Sequence, residues 1–274
     1  MEKDHILKIA EDLYKVAFDA NAYYLIMRQF RELSSRYDPE ICVSPAFYSI
    51  VYAALMKACF MDIAKLYDKN EKSITIGYLL EICSDNKTLF NEYREIKTIN
   101  ENGQEEIDYY PYHHKLRANE ECFFEKQVQI QRNFNELNGI SGDVPIIVDL
   151  KFSELLSLFQ NCLSSFSKKI ENVRNQRNKI YAHNNEEKVE NIDAVFNKYP
   201  ISYDDLEELI VFALDCTRLI IGNITGVQKA TEYSNIDDWE GTLMYVKLGQ
   251  KYQDYDIEKN TTEFIDKLKR NKAD

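Results

Sequence analysis

The stretch Glu171–Lys188, ENVRNQRNKIYAHNNEEK, holds the side chains in this chain best suited to proton transfer and anion binding. Arg177 offers a planar fork of donors that matches paired oxygens on an anion. His183, six residues on, carries an imidazole that gains and loses a proton near neutral pH. Asn178 sets an amide directly beside the arginine. Five cations (Lys168, Lys169, Arg174, Arg177, Lys179) against one acid (Glu171) give a local charge of about +4, in a chain whose net charge is −12. Such a cluster draws an anionic ligand. It also complements the negative end of a helix, and that simpler explanation stays open. So do others: Arg177 as half of a buried ion pair, His183 as a helix-end cap, and Asn184 and Asn185 as stop residues.

These groups need a scaffold. Apolar residues recur by threes and fours from Leu150 to His183: Phe152, Leu155, Leu156, Phe159, Leu163, Phe166, Ile170, Val173 and Ile180. The spacing predicts one long helix, and Arg177 falls on its apolar stripe, where burial is expected. Asn184 lies seven residues further in nearly the same direction. On such a helix Arg177 and His183 are ~9 Å apart along the axis and ~120° apart around it. One helix does not easily bring both to one atom, whereas two copies packed antiparallel do.

The rest of the chain also reads as helices. Residues 6–36 form one. Ser44-Pro45 opens another that runs to about Asp68, apolar over most of its circumference and therefore expected at the centre. Ser73–Ser84 is a short capped helix. Residues 87–100 and about 112–137 are expected as helices, separated by a loop at NENGQEEIDYYPYHH and followed by a loop at NGISGDVPIIV. Ser202 with Asp205 resembles a capping box that opens a helix over 206–224, ended by Asn223 and Gly226. The tail holds helices near 237–252 and 256–271. The expectation is an all-α bundle over 1–226, with an inserted helical segment near 98–150 and a C-terminal helical tail over 227–274.

Composition narrows the function. The 274 residues suffice for a sizeable core, and 8 Gly and 5 Pro are few for an all-β chain. A charge of −12 opposes non-specific nucleic-acid binding over the whole surface, so any RNA site must be local. Six cysteines without a CxxC pair read as reduced thiols in a cytoplasmic protein. The charged N-terminus does not read as a secretory signal. The run Ile50–Met56 is well short of the ~20 residues that span a bilayer, so no membrane is expected. His113-His114 lacks an acidic partner at a ligand spacing, so neither metal nor cofactor is expected. The acidic 204–208 run suits a first helical turn. The tyrosines of EIDYYPYHH are expected to cover the bundle rather than stack on bases.

Arg177, five intervening residues and His183, with polar Asn178 after the arginine, resembles the Arg-x4–6-His motif of HEPN domains (higher eukaryotes and prokaryotes nucleotide-binding). FYSIVYAALMKACFMDIAKLYDKN followed by SITIGYLLEIC resembles the AbiU2-like branch, where a helix ending in a leucine-tyrosine/threonine-aspartate stretch precedes a short leucine-rich helix. The resemblance covers roughly 1–226 without the insertion. It implies a helical bundle that dimerises through its motif helices. It also implies a metal-independent endoribonuclease of the toxin–antitoxin, abortive-infection or CRISPR-associated kind. Carried over, Arg177 and His183 are the catalytic pair and Asn178 the orienting amide, with Arg174, Lys179, Tyr181 and Asn184 contacting RNA. The implied partners are RNA, a second copy, and a cognate antitoxin or defence subunit, which the tail (227–274) could bind. One position departs from the pattern. Some HEPN toxins carry a nucleotide-accepting tyrosine two residues after the histidine, and here that position is Asn185. The competing expectation is a non-catalytic module that binds a nucleotide or a protein.

Overall fold

The computed structural model describes residues 2–70, 72–100, 103–142, 144–182 and 192–270. In order, its main elements are α1 (Lys3–Leu33), α2 (Asp38–Ile41), α3 (Pro45–Leu66), α4 (Ile76–Asp85), β1 (Arg94–Ile99), β2 (Glu105–Tyr110), β3 (Tyr112–Lys115), α5 (Glu125–Leu137), β4 (Ile147–Leu150), α6 (Phe152–Ser165), α7 (Ser167–Gln176), a π turn (Arg177–Ala182), α8 (Ile192–Lys198), α9 (Tyr203–Thr225) and α10 (Trp239–Arg270). The fold is all-α with two small two-stranded sheets. Contacts divide the chain into two units, Met1–Asn21 with Cys59–Thr231 and Ala22–Ala58 with Glu232–Asp274.

The first unit is built on aromatic packing between α6–α7 and α9. Phe159 and Phe166 both meet Phe212 edge-on, at 5.6 and 5.1 Å between centroids. Phe152 stacks on Phe90 at 4.7 Å. All four of Phe152, Phe159, Phe166 and Phe212 are buried, so the 3.6-residue stripe read from the sequence is the core face. The expected single helix over 150–183 is interrupted at Phe166. Its preceding turn is crowded by Ser164 Oγ and Ser165 Oγ, which donate to the carbonyls of Gln160 and Cys162. Such back-bonding competes with the helical ladder and bends it.

α9 begins and ends as its sequence dictates. Ser202 Oγ accepts from the Asp205 backbone N–H at 3.0 Å, and the Ser202 N–H donates to the Asp205 carboxylate at 3.0 Å. Gly226, at φ 71°, closes the helix in the left-handed region. Ser202→Ala is expected to cost about 1 kcal/mol, read as a lower midpoint in urea denaturation with an unchanged slope.

The inserted segment departs from its expected helices. Residues 94–99 form β1, paired antiparallel with β2. Tyr112–Lys115 form β3, paired with β4. After a 3₁₀ turn at Glu121–Phe123 the α-helix begins only at Glu125. The first hairpin is closed by Gly103 at φ 77°, whose N–H donates to Asn100 O, while Asn100 N–H donates to Gln104 O. β-branched Ile96, Thr98, Ile99 and Ile107 favour the pleat. In β4 the signal is a period of two: Val148 and Leu150 are buried, Ile147 and Asp149 exposed.

In the second unit Phe30 of α1 gathers Tyr48 and Tyr52 of α3 and Trp239 of α10, at 5.5, 6.1 and 5.2 Å. Trp239 Nε1 donates to Gln29 at 2.7 Å, and Tyr37 Oη donates to Glu240 at 2.6 Å. The tail forms one continuous helix over Trp239–Arg270 rather than two. α3 is long and apolar enough to cross a membrane by length and composition, yet 17% of its most apolar window is buried. It is therefore not the central helix that its composition suggested: its buried residues are confined to the last two turns, Cys59–Leu66.

Candidate active site

The candidate site lies at the end of α7 and in the π turn, both within the first unit. Ile170, Val173, Gln176 and Ile180 are buried on one stripe. Three side chains of that region hold the turn before α9. Asn172 Nδ2 donates to Pro200 O at 2.6 Å, and Gln176 Nε2 donates to Tyr199 O at 2.6 Å. Lys179 Nζ lies over the Tyr199 ring at 5.4 Å. Asn172 and Gln176 were not among the expected site residues, although two amides four apart on an apolar stripe signal buried hydrogen bonding.

Past Gln176 the backbone widens into the π turn, Arg177–Ala182. A π turn is rare and occurs often at functional sites. Within it Arg177 is half-buried and Asn178 exposed. Tyr181 packs its ring on Phe60 of α3, 4.8 Å between centroids. The expected site residues His183 and Asn184 lie outside the described residues, as does Asn185.

Of the five cations, four have a described partner. Lys168 pairs with Glu171 at 3.4 Å. Lys169 sits between Asp205, at 2.7 Å, and Glu208. Burial opposes the charge of Asp205, but Lys169 and the Ser202 cap outweigh it and hold the carboxyl below its usual range. Arg174 reaches Asp68 at 3.5 Å. Asp68 is likewise held low against burial, by the backbone N–H groups of Lys69 and Asn70, by Ser73 and by Arg174. Lys179 is the cation over Tyr199. Arg177 differs in having no described ion pair or ring partner; its Nε, like that of Arg174, is buried with no hydrogen-bond partner among the described residues. The local charge of about +4 counted along the helix is therefore largely offset by α9 and Asp68, which leaves Arg177 as the cation of the five without a described counter-charge or ring partner.

A second polar cluster in the first unit was not foreseen. Glu120, fully buried, accepts from His114 Nε2 at 2.7 Å and from Arg117 at 3.0 Å. Arg117 also pairs with Asp215 of α9 and lies 5.6 Å over the Phe212 ring. Arg117 and Asp215 are 98 residues apart, so no local spacing reveals the cluster. The other histidine of the pair, His113, meets Asp149 across the β3–β4 ladder at 2.5 Å.

The all-α fold is that expected of a HEPN-like bundle. The chain belongs to the AbiU2 family of HEPN domains: the family model HEPN_AbiU2 (AbiU2) matches residues 3–242. No curated protein and no solved structure matches the chain.

Proposed function

We propose that this HEPN-type protein is a metal-independent endoribonuclease of the toxin or defence kind. It would work as a homodimer whose motif helices share one site and would respond to a cognate antitoxin or defence subunit. The observation that carries the reading is Arg177. A half-buried guanidinium with a buried Nε and no described partner is costly to maintain unless a ligand completes it. In the proposed reaction the 2′-OH of one nucleotide attacks its own 3′-phosphorus. A P–O bond forms as the bond to the 5′-oxygen of the next nucleotide breaks. His183 takes the hydroxyl proton or returns one to the leaving oxygen. Arg177 binds the phosphoryl oxygens as their charge grows, and Asn178 orients the phosphate or the imidazole. Arg174, Lys179, Tyr181 and Asn184 would line the RNA path, with Arg174 and Lys179 shared with their present partners.

Purified chain incubated with RNA in EDTA is expected to yield 2′,3′-cyclic phosphate and 5′-hydroxyl ends. RNA methylated at its 2′-oxygens should remain uncut, and His183→Ala should lose activity. Cleavage that requires a divalent ion, or that persists in His183→Ala, would overturn the mechanism.

One observation favours the second reading, a non-catalytic module that binds a nucleotide or protein. The cations around Arg177 are mostly engaged by carboxylates, which weakens the field that would draw a long polyanion. A chain that binds a mononucleotide through Arg177 but never cuts RNA would establish that reading.

A further inference from the structure

Among the described residues, two faces of the second unit are uncovered, and both carry large apolar side chains. The first lies on the N-terminal part of α3. Phe47, Ile50, Ala54 and Lys57 recur by threes and fours along one stripe, joined by Ala53 and by Val43 just before the helix, and all six are exposed. Phe47 is 61% and Ile50 68% accessible. Lys57 is the one formal charge on this stripe.

The second face lies on α10. Trp239, Leu243, Val246 and Gln250 form a stripe with the 4-3-4 rhythm of a packed helix. Its first half is covered: Leu243 is fully buried and Gln250 reaches Pro39 O. After a polar step at Gln253 and Asp254 the rhythm resumes through Ile257, Thr261 and Phe264, yet every residue from Lys251 to Asp266 is exposed. An uncovered helical segment of this length is marginal in water, because helices in proteins draw their stability from packing one face. The stripe that fixes the first half of α10 therefore asks for a second surface under its other half.

We infer that the second unit pairs two copies of this chain, with the C-terminal half of α10 of each lying antiparallel on the exposed face of α3 of the other. In this alignment Ile257 meets Ala54 and Lys57, and Phe264 seats between Phe47 and Ile50. Charge agrees with it: Asp254, Asp256 and Glu258 flank Ile257 and come beside Lys57, while the rest of the α3 stripe repels nothing. Area agrees as well. Val43, Phe47, Ile50, Ile257, Phe264 and Ile265 each offer roughly 100 Å² of apolar side chain at most. Reciprocal cover in two copies then removes up to about 1,200 Å² from these side chains, the scale at which specific interfaces begin. A membrane fits less well, since the last turns of α3 are buried in the core of the first unit. This pairing does not rest on the ribonuclease reading and survives its failure.

The test uses the full chain with the exposed native thiols Cys42 and Cys122 changed to serine. An Ile50→Cys chain mixed with a Phe264→Cys chain is expected to form a disulfide-linked pair of twice 32.3 kDa on mild oxidation, with neither chain linking to itself. Phe47→Glu added to the Ile50→Cys chain, and Ile257→Glu added to the Phe264→Cys chain, each at a position exposed within one copy, should abolish the mixed link while leaving the helical circular dichroism unchanged. No link in the mixture would overturn the proposal. So would self-linking by Ile50→Cys alone, which means α3 faces α3, or co-sedimentation of the native chain with phospholipid vesicles.

Discussion

Arg177→Met is expected to lower RNA cleavage by roughly 10²–10³-fold, the usual loss when one donor to a developing anionic oxygen is removed, and at the same time to raise stability. Both effects follow from one position. Arg177 stands on the stripe of Phe166, Ile170 and Val173, half-buried, with a buried Nε and no described partner. Folding strips water from part of the guanidinium without a described compensating bond, so an apolar side chain of similar length belongs there on physical grounds. A gain of about 1 kcal/mol is the scale of repairing such a site, and the coupled loss of activity is the usual trade at a functional position. Arg177→Lys should also fail to restore cleavage, because an ammonium cannot reproduce the two-pronged contact. Urea denaturation and cleavage in EDTA, run on the same preparations, test the pair of outcomes. If Arg177→Met destabilised the chain by several kcal/mol, the arginine would be holding the fold, and its role toward a phosphate would be lost with that result.

The sequence displayed that arginine because helical phase is local. Val173 and Ile180 bracket it, four residues before and three after, and both are buried. Ser202 with Asp205 and the terminating Gly226 were legible for the same reason, since a cap is written within four residues. Contacts made at a distance were not. Lys169 reads as a solvated cation until α9 brings Asp205 and Glu208 to it, 36 and 39 positions away. Arg117 gives no sign of Asp215. The strands of the insertion were hidden differently: charges at Arg94, Glu95 and Lys97 suit an exposed hairpin as well as an exposed helix, and the periodicity of so short a segment does not separate them. α3 is the converse case. Its composition predicts a central helix, and its N-terminal part is instead uncovered. Apolar sequence specifies burial against something, and that something need not be the same chain.

Arg117→Ala is expected to destabilise the first unit by about 3–5 kcal/mol, the scale on which breaking a buried ion pair leaves an uncompensated charge. Glu120 is the group left exposed to that penalty. It has no accessible surface, its Oε2 accepts from His114 and from the Arg117 backbone N–H at 2.7 and 2.9 Å, and its Oε1 accepts from the Arg117 guanidinium at 3.0 Å. Burial opposes its ionisation, but His114 and Arg117 more than compensate and hold the carboxyl below its usual range. The sign of the pH dependence follows. A carboxyl whose folded value is depressed contributes stability above the ordinary carboxylate range, and that contribution is lost as pH falls through the depressed value. In Arg117→Ala the largest opposing charge is gone, the Glu120 value climbs, and acid unfolding should begin at a higher pH than in the native chain. Arg117→Met with Glu120→Leu should be milder than either single change, because the fully buried carboxylate is gone and Asp215, 31% exposed, still has Arg218 at 4.0 Å. Equal losses from the double and the single variants would mean that the cluster is held by the packing of Arg117 on Phe212 and Phe159, and that its charges are incidental. With the charges as the cause, the cluster fastens the inserted β3–α5 segment to α6 and α9, the helices that also set the position of Arg177.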